Sequence, residues 1–520
     1  MTNALVGTAL LTRLALRRDR VVAAVSIAAL VLLCFASAAA TSGLYPDEGA
    51  RVHAAEAING SPAIVALYGP ILDVRSEGEL AMTKMTVLYA VFLAALFVVL
   101  VRRHTRVEEE SGRTELVGGG AVGRSAPLAA ATVEAVLLAT VLGLLTAIAN
   151  TAAGLDVAGS LAFGAVWAGT GLVAAGVAAV AAQVSASART CGAFAAATIA
   201  VFFMLRAVGD TGPGWVSWCS PLGWNTQARA YADPRWWVLA LYPVLTAGLV
   251  GVAALLRSRR DLGSGLLAAR PGPARGSPRL ADAMTLALQV HGTAIALWTL
   301  AVAVLGVVFG MIAPGVGDLL DSGVAKDLID KLGGLLVAAV LSMNAVVISY
   351  FAVSVVARAS SDEASGRTEL VLATSTSRSR WLAATILVAL VGAGWLMLVT
   401  GVGLEIGYVA TSGPDIGDLV TAALAWVPAV WVVAGLALLG FSLRPGWTVV
   451  GWGLPLAFLV FTLVVELLEL PSWLGDLSPY SHVPQVPAES WDWGAEAGLL
   501  AVAAALLGVA WWRFTERDIG

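Results

Sequence analysis

Long apolar runs alternate with short polar breaks along the whole chain. Runs long enough to cross a bilayer recur near residues 21–40, 85–101, 127–149, 159–184, 191–208 and 236–256. A break rich in Arg, Pro and Gly follows at 257–284, and further runs lie near 286–312, 334–357, 381–405, 417–441, 447–468 and 495–513. About 20 apolar residues span the hydrocarbon core as a helix, and a helix satisfies its own backbone hydrogen bonds in lipid. The pattern predicts an all-α integral membrane fold of 12 transmembrane helices. Its domains are a first six-helix half (1–256), a cytoplasmic linker (257–284) and a second six-helix half (285–520).

The N-terminus adds one element. Residues 3–18 set Leu5, Leu10, Leu11 and Leu14 against Arg13, Arg17 and Arg18, which predicts a short amphipathic helix on the cytoplasmic membrane face. The run that follows ends in Ala-Ser-Ala-Ala-Ala, like a signal-peptide cleavage site. Its length of about 20 residues favours an uncleaved first span instead.

Composition agrees with a lipid solvent. Hydrophobic residues make up 58% and charged residues 13%, against about 25% charged in soluble domains. Three scattered cysteines and four histidines give no disulfide framework or metal-ligand spacing, so no metal site is expected. Charge distribution sets the orientation. With the N-terminus inside, only eight of 31 Lys and Arg fall outside the cytoplasmic segments: Arg51, Arg75, Lys84, Arg206, Arg229, Arg235, Lys326 and Lys331. Both termini and the linker are then cytoplasmic, in a multi-pass protein of a bacterial plasma membrane.

One polar phrase occurs twice. Glu109-Glu110-Ser111-Gly112-Arg113-Thr114-Glu115-Leu116 returns 254 residues later as Glu363-Ala364-Ser365-Gly366-Arg367-Thr368-Glu369-Leu370. Arg124 and Arg378 repeat at the same offset, Arg189 and Arg444 at 255, and Arg260-Asp261-Leu262-Gly263 and Arg517-Asp518-Ile519-Gly520 at 257. Six spans per half is even, so the two repeats should be parallel, related by a pseudo-two-fold axis along the membrane normal. Both motifs (about 105–123 and 359–378) fall on cytoplasmic loops. Each reads as a short helix in which Glu109 faces Arg113, and Glu363 faces Arg367, at the favourable i,i+4 spacing. Gly112 and Gly366 should let another backbone approach. The first outer loop (42–84) is about twice as long as its counterpart (314–333).

Glu109-x-x-Gly112-Arg113-Thr114-Glu115, and the matching Glu363, Gly366, Arg367, Thr368 and Glu369, resemble the coupling-helix motif of type-2 ABC exporter permeases. That family carries Glu-x-x-Gly-Thr-x-Glu between the second and third spans of a six-span half; here Arg stands where Thr is usual. The fused double form is similar to actinobacterial exporters of polyketide antibiotics, the tetronasin type, and of multiple drugs. The resemblance implies ATPase-coupling roles for Glu109, Gly112, Arg113, Glu115, Glu363, Gly366, Arg367 and Glu369. It also implies two copies of a cytoplasmic ABC ATPase subunit as partners, with export as the direction. The chain has three lysines, none preceded by Gly, so it lacks the usual phosphate-binding loop. ATP and Mg are therefore expected in the partner subunits. This chain should hold no cofactor, no catalytic residue and no nucleic acid.

The resemblance also points to spans 2, 5, 8 and 11 as the pathway wall. Phe202, Phe203 and Met204 in span 5, and Phe458 and Phe461 in span 11, would suit large apolar substrates. Arg206 and Glu466 are candidates for an outer-gate ion pair, or for charges that snorkel. Glu134 and Glu405 are further membrane acids within reach of a span end. A proton-driven secondary transporter remains the main alternative, because the major facilitator class also has two six-span halves. A membrane scaffold is a weaker one.

Overall fold

The computed structural model describes residues 2–120, 122–267, 280, 282–319, 326–410, 418–467, 475–486 and 488–518, without the side chains of 2, 3, 63, 312–319, 326–336 and 459–467. The described residues are helical, with no strand among them. Eleven of the described helices are long and apolar enough to cross a membrane. A further 20-residue helix, Thr448–Leu467, stands where the sequence predicts the eleventh of its 12 spans. The chain is a multi-pass membrane protein that divides into two compact units, Met1–Gly272 and Pro273–Gly520.

The first unit opens with α1 (Thr8–Leu44), a single helix of 37 residues. The expected separate amphipathic helix is not there. Its residues continue straight into the first span, because no Gly or Pro interrupts positions 8–42. The buried positions Thr12, Ala15, Asp19, Ala23, Ile27, Leu30, Cys34, Ala38 and Thr41 form one unbroken stripe at the 3–4 spacing of a helix face. The long loop between the first two spans, expected on the outer side, folds as α2 (Glu48–Gly60), α3 (Pro62–Tyr68) and α4 (Glu77–Thr86). This cap has its own small core of Ala55, Ile71 and Leu80. Asn59 ties it by giving Nδ2 to the Ile71 carbonyl at 2.8 Å and accepting the Ile71 amide at 2.9 Å.

The second span, α5 (Leu88–Arg102), ends in a π turn at Arg103–Val107 and then α6 (Glu108–Glu110). After Gly112 comes α7 (Arg113–Gly118). The remaining spans are α8 (Ala126–Ala152), α9 (Val157–Val184), α10 (Ala188–Thr211) and, after the short α11 (Trp215–Trp218) and α12 (Pro221–Gln227), α13 (Leu241–Ser258). The most buried of them, α9, packs against α8 where two glycines meet: a Cβ on Gly143 would lie 2.6 Å from the Gly164 carbonyl. Small residues of this kind let helix backbones touch in lipid, where expulsion of water no longer drives association.

The second unit comprises α14 (Ala283–Leu319), α15 (Lys326–Ala364), α16 (Arg367–Leu372), α17 (Arg378–Ala410), α18 (Leu419–Leu424), α19 (Val427–Leu443), α20 (Thr448–Leu467) and α21 (Trp493–Glu516). Its core gathers Leu341, Ile348, Phe351, Val430, Leu438 and Phe441 on α15 and α19. Residues 257–267, assigned by composition to the linker, belong to the first unit instead. The Leu266 and Leu267 amides donate to the carbonyls of Gln183 and Val184 at 3.1 and 3.0 Å. Residues 268–279 lie outside the described residues.

Candidate functional site

Each repeated motif is two helices joined at a glycine, not one. Gly112 has φ 74° and Gly366 φ 71°, the left-handed region that costs other residues about 1–2 kcal/mol. A Cβ at either position would meet nothing within 4 Å. The positive φ alone calls for glycine at both positions, and no other part of the described chain lies against them.

The break also redirects the charges. Glu109 does not pair with Arg113. Its side chain is buried and accepts from Arg106 at 2.5 Å, Arg257 at 3.0 Å and Arg260 at 2.8 Å. Arg113 turns instead to Glu108, at 3.5 Å, where Arg18 of α1 also pairs at 2.5 Å. The second copy repeats this division. Glu363 accepts from Arg517 at 2.7 Å, while Arg367 pairs with Asp362 at 2.7 Å.

Around the buried Glu109 and the half-buried Glu363 the surroundings form a latch. Arg124, at the head of the third span, donates to the Arg260 carbonyl at 2.5 Å. Arg378, its equivalent, donates to the Arg517 carbonyl at 2.9 Å. The latch therefore laces together the second, third and last spans of each half. In the first half Arg260 Nε also donates to Gln183 Oε1, and Arg106 to the Gly263 and Ser264 carbonyls. In the second, Arg517 lies over the rings of Phe441 and Phe514 at 5.3 and 5.4 Å, a cation–π arrangement. Ser360 and Phe514 occupy the places of Arg106 and Arg257, so three guanidiniums serve one half and one serves the other.

Above each latch stands a short exposed turn. Leu116 is 83% exposed and Leu370 73%. Glu115, Glu369, Arg113 and Arg367 are exposed beside them. Thr368 is buried. Each turn overlies a cavity against the head of the third span, 70 Å³ in the first half and 210 Å³ in the second. The motif thus divides into an inward latch (Glu109, Glu363) and an outward face. The sequence repeats had offered Arg260 and Arg517 as well, but nothing in their spacing tied them to the glutamates.

The other candidates are divided between the two units. Phe202 and Phe203 are half-buried against the first unit's core, and Met204 is 51% exposed. Phe458 meets Tyr480 edge-on at 6.5 Å. The side chains of Phe461 and Glu466 lie outside the described residues. Arg206 neither snorkels nor stands free. Fully buried, it donates to the Val65 and Leu67 carbonyls of the outer cap at 3.1 and 3.2 Å, pairs with Asp210 at 3.4 Å and lies over Phe203 at 4.7 Å. Glu134 is buried too, and Glu405 accepts the Leu419 amide at 3.3 Å.

A known protein matches this chain over nearly its whole length, and a family model matches its second half. A family model described as the C-terminal domain of the multidrug efflux system permease Rv1217c matches residues 280–515. The multidrug efflux system permease protein Rv1217c of Mycobacterium tuberculosis (strain ATCC 25618 / H37Rv) is 38% identical over 524 residues, covering 99% of this chain and 95% of that protein. With its apolar helices and its two latched motifs, the chain belongs to the family of multidrug efflux system permeases.

Proposed function

We propose that this chain is the membrane permease of an ATP-driven exporter of amphipathic or hydrophobic small molecules, drugs and antibiotics, polyketides among them. ATP and Mg would be bound by two cytoplasmic ATPase subunits, one against α7 and one against α16, with both permease termini on that side. The observation that carries this reading is the pairing of an exposed Glu-Leu step with an inward Glu–Arg latch in each half. An apolar Leu at 83% or 73% exposure on a charged turn has no role within its own unit. The latch below gives a docked partner a stiff connection to three spans.

Co-expression with an ATPase encoded beside the permease tests this. The two should co-purify, and ATP hydrolysis should rise when drug is added to the reconstituted complex. Failure of any ATPase to associate, together with transport that collapses when the proton gradient is discharged, would replace this reading with the secondary transporter.

A further inference from the structure

Beside the first latch lies a second cluster that the latch does not use. Asp19 of α1, His104 of the π turn and Glu134 of α8 each offer one ligand atom, and these atoms all lie within 4.8 Å of one another. His104 Nε2 is 2.7 Å from Asp19 Oδ2 and 3.5 Å from Glu134 Oε2. Asp19 and Glu134 are each 1% exposed. Buried carboxylates need a cation or a full set of donors. Arg103 meets Asp19 Oδ1 at 2.6 Å. Glu134 has no such partner, and its Oε1 is buried with no hydrogen bond at all.

Three features point to an ion. One imidazole and two carboxylates form a ligand set suited to a divalent transition metal of borderline hardness. Metal–ligand bonds of about 2.0–2.2 Å place ligand atoms roughly 3–3.5 Å apart, close to the spacing already present. The His is delivered by the π turn, and π turns are rare and concentrate at functional sites. The second half keeps an ordinary α-helix through the equivalent stretch and carries Arg358 and Val388 at the positions of His104 and Glu134.

We propose that Asp19, His104 and Glu134 bind one divalent transition-metal ion, Zn²⁺ first among candidates. The ion staples α1, the π turn and α8 together directly beneath the first motif. Arg18, one residue before Asp19, already holds Glu108. The staple therefore steadies α6 through Glu108, where the latch holds Glu109, and only in the first half.

The test uses the full-length permease in detergent, stripped with a chelator and titrated with Zn²⁺, and with Co²⁺ as a spectroscopic probe. One equivalent per chain should bind saturably, raise Tm, and give visible Co²⁺ bands of a nitrogen–oxygen site. His104→Gln and Glu134→Gln, both close in shape, should each weaken binding at least about tenfold, whereas Glu405→Gln should not. Absence of saturable binding overturns the proposal, as does wild-type affinity in both variants. So does a Glu134→Gln protein that is more stable than wild type while neither binds metal, since the buried acid would then simply carry a proton.

Discussion

Arg517 donates to Glu363 at 2.7 Å across 154 positions of sequence. It does so on the repeat positions at which Arg260 donates to Glu109 at 2.8 Å across 151. The relation survives in both halves although almost everything around it differs. Glu109 neutralises three buried guanidiniums, and removing it leaves them uncompensated. Glu109→Gln should cost about 3–5 kcal/mol, the range for breaking a buried pair. Glu363→Gln, at a partly exposed site with one Arg, should cost about 1 kcal/mol. Thermal unfolding of the detergent-solubilised variants, read by size-exclusion fluorescence, distinguishes them. Equal losses would mean that the extra arginines contribute nothing.

The exposed turns should matter to partnership and not to folding. Leu116→Asp with Leu370→Asp is expected to leave Tm unchanged and to lower ATPase co-purification by about tenfold or more, as loss of a buried apolar anchor does. Single variants separate the two docking points. A double variant that still captures ATPase at wild-type levels would move the interface elsewhere.

Backbone conformation at the motif glycines gives a third expectation. Gly112→Ala and Gly366→Ala force a side chain into a positive φ at about 1–2 kcal/mol. Asn, which tolerates that region better, should cost less. Hydrogen exchange in α7 and α16 should rise locally with Ala and much less with Asn.

Acidity on the outer side offers a fourth. Burial beside α3 and Tyr231 pushes the Glu79 carboxyl above the usual range, against the opposing hydrogen bonds from the Leu72 and Tyr231 backbone. Between its ordinary value near about 4.3 and its raised value in the folded protein, the unfolded chain holds fewer protons. Stability from this group is therefore greatest at low pH and declines as pH rises through that window. Glu79→Gln should raise Tm at neutral pH and change it little near about pH 4. A Tm gain that is the same at both pH values would assign the effect to packing.

Arg206 supplies a fifth. Its two bonds to α3 carbonyls hold the cap on α10, so Arg206→Met should free that cap and leave Asp210 unpaired. Proteolysis from the outer face should then cut within residues 48–75 several times faster, with the cytoplasmic latches intact. Unaltered cleavage would show that the Asn59–Ile71 bonds suffice.

The helical membrane architecture was legible because lipid imposes length and apolarity on each span, and those survive in one dimension. The motif was legible because it occurs twice. What the sequence could not show was which charges close on which. Glu109 and Arg113 have the spacing of a helical pair, but Gly112 at φ 74° carries the chain off the helix between them. Arg257 and Arg260 looked like solvated linker charges, since nothing in a run of arginines marks two of them as buried partners of a Glu about 150 residues earlier. Composition likewise set aside the histidines, because Asp19, His104 and Glu134 come from three separate elements. The uninterrupted run of helix formers from Thr8 to Leu44 was in plain view, but alternating Arg and Leu suggested a surface helix in place of the start of a span.

That uninterrupted helix reaches both faces of the first half. Near one end Arg18 holds Glu108 at 2.5 Å, and near the other Ser37 donates to the Ala81 carbonyl at 2.7 Å and Ser42 bonds Glu77. The 19 residues from Arg18 to Ser37 make a rod of about 29 Å at 1.5 Å per residue, with no hinge residue along it. A tilt applied at the motif end of α1 is therefore carried along a rod that does not bend to the cap end, so the two ends of the first half are mechanically linked by one helix.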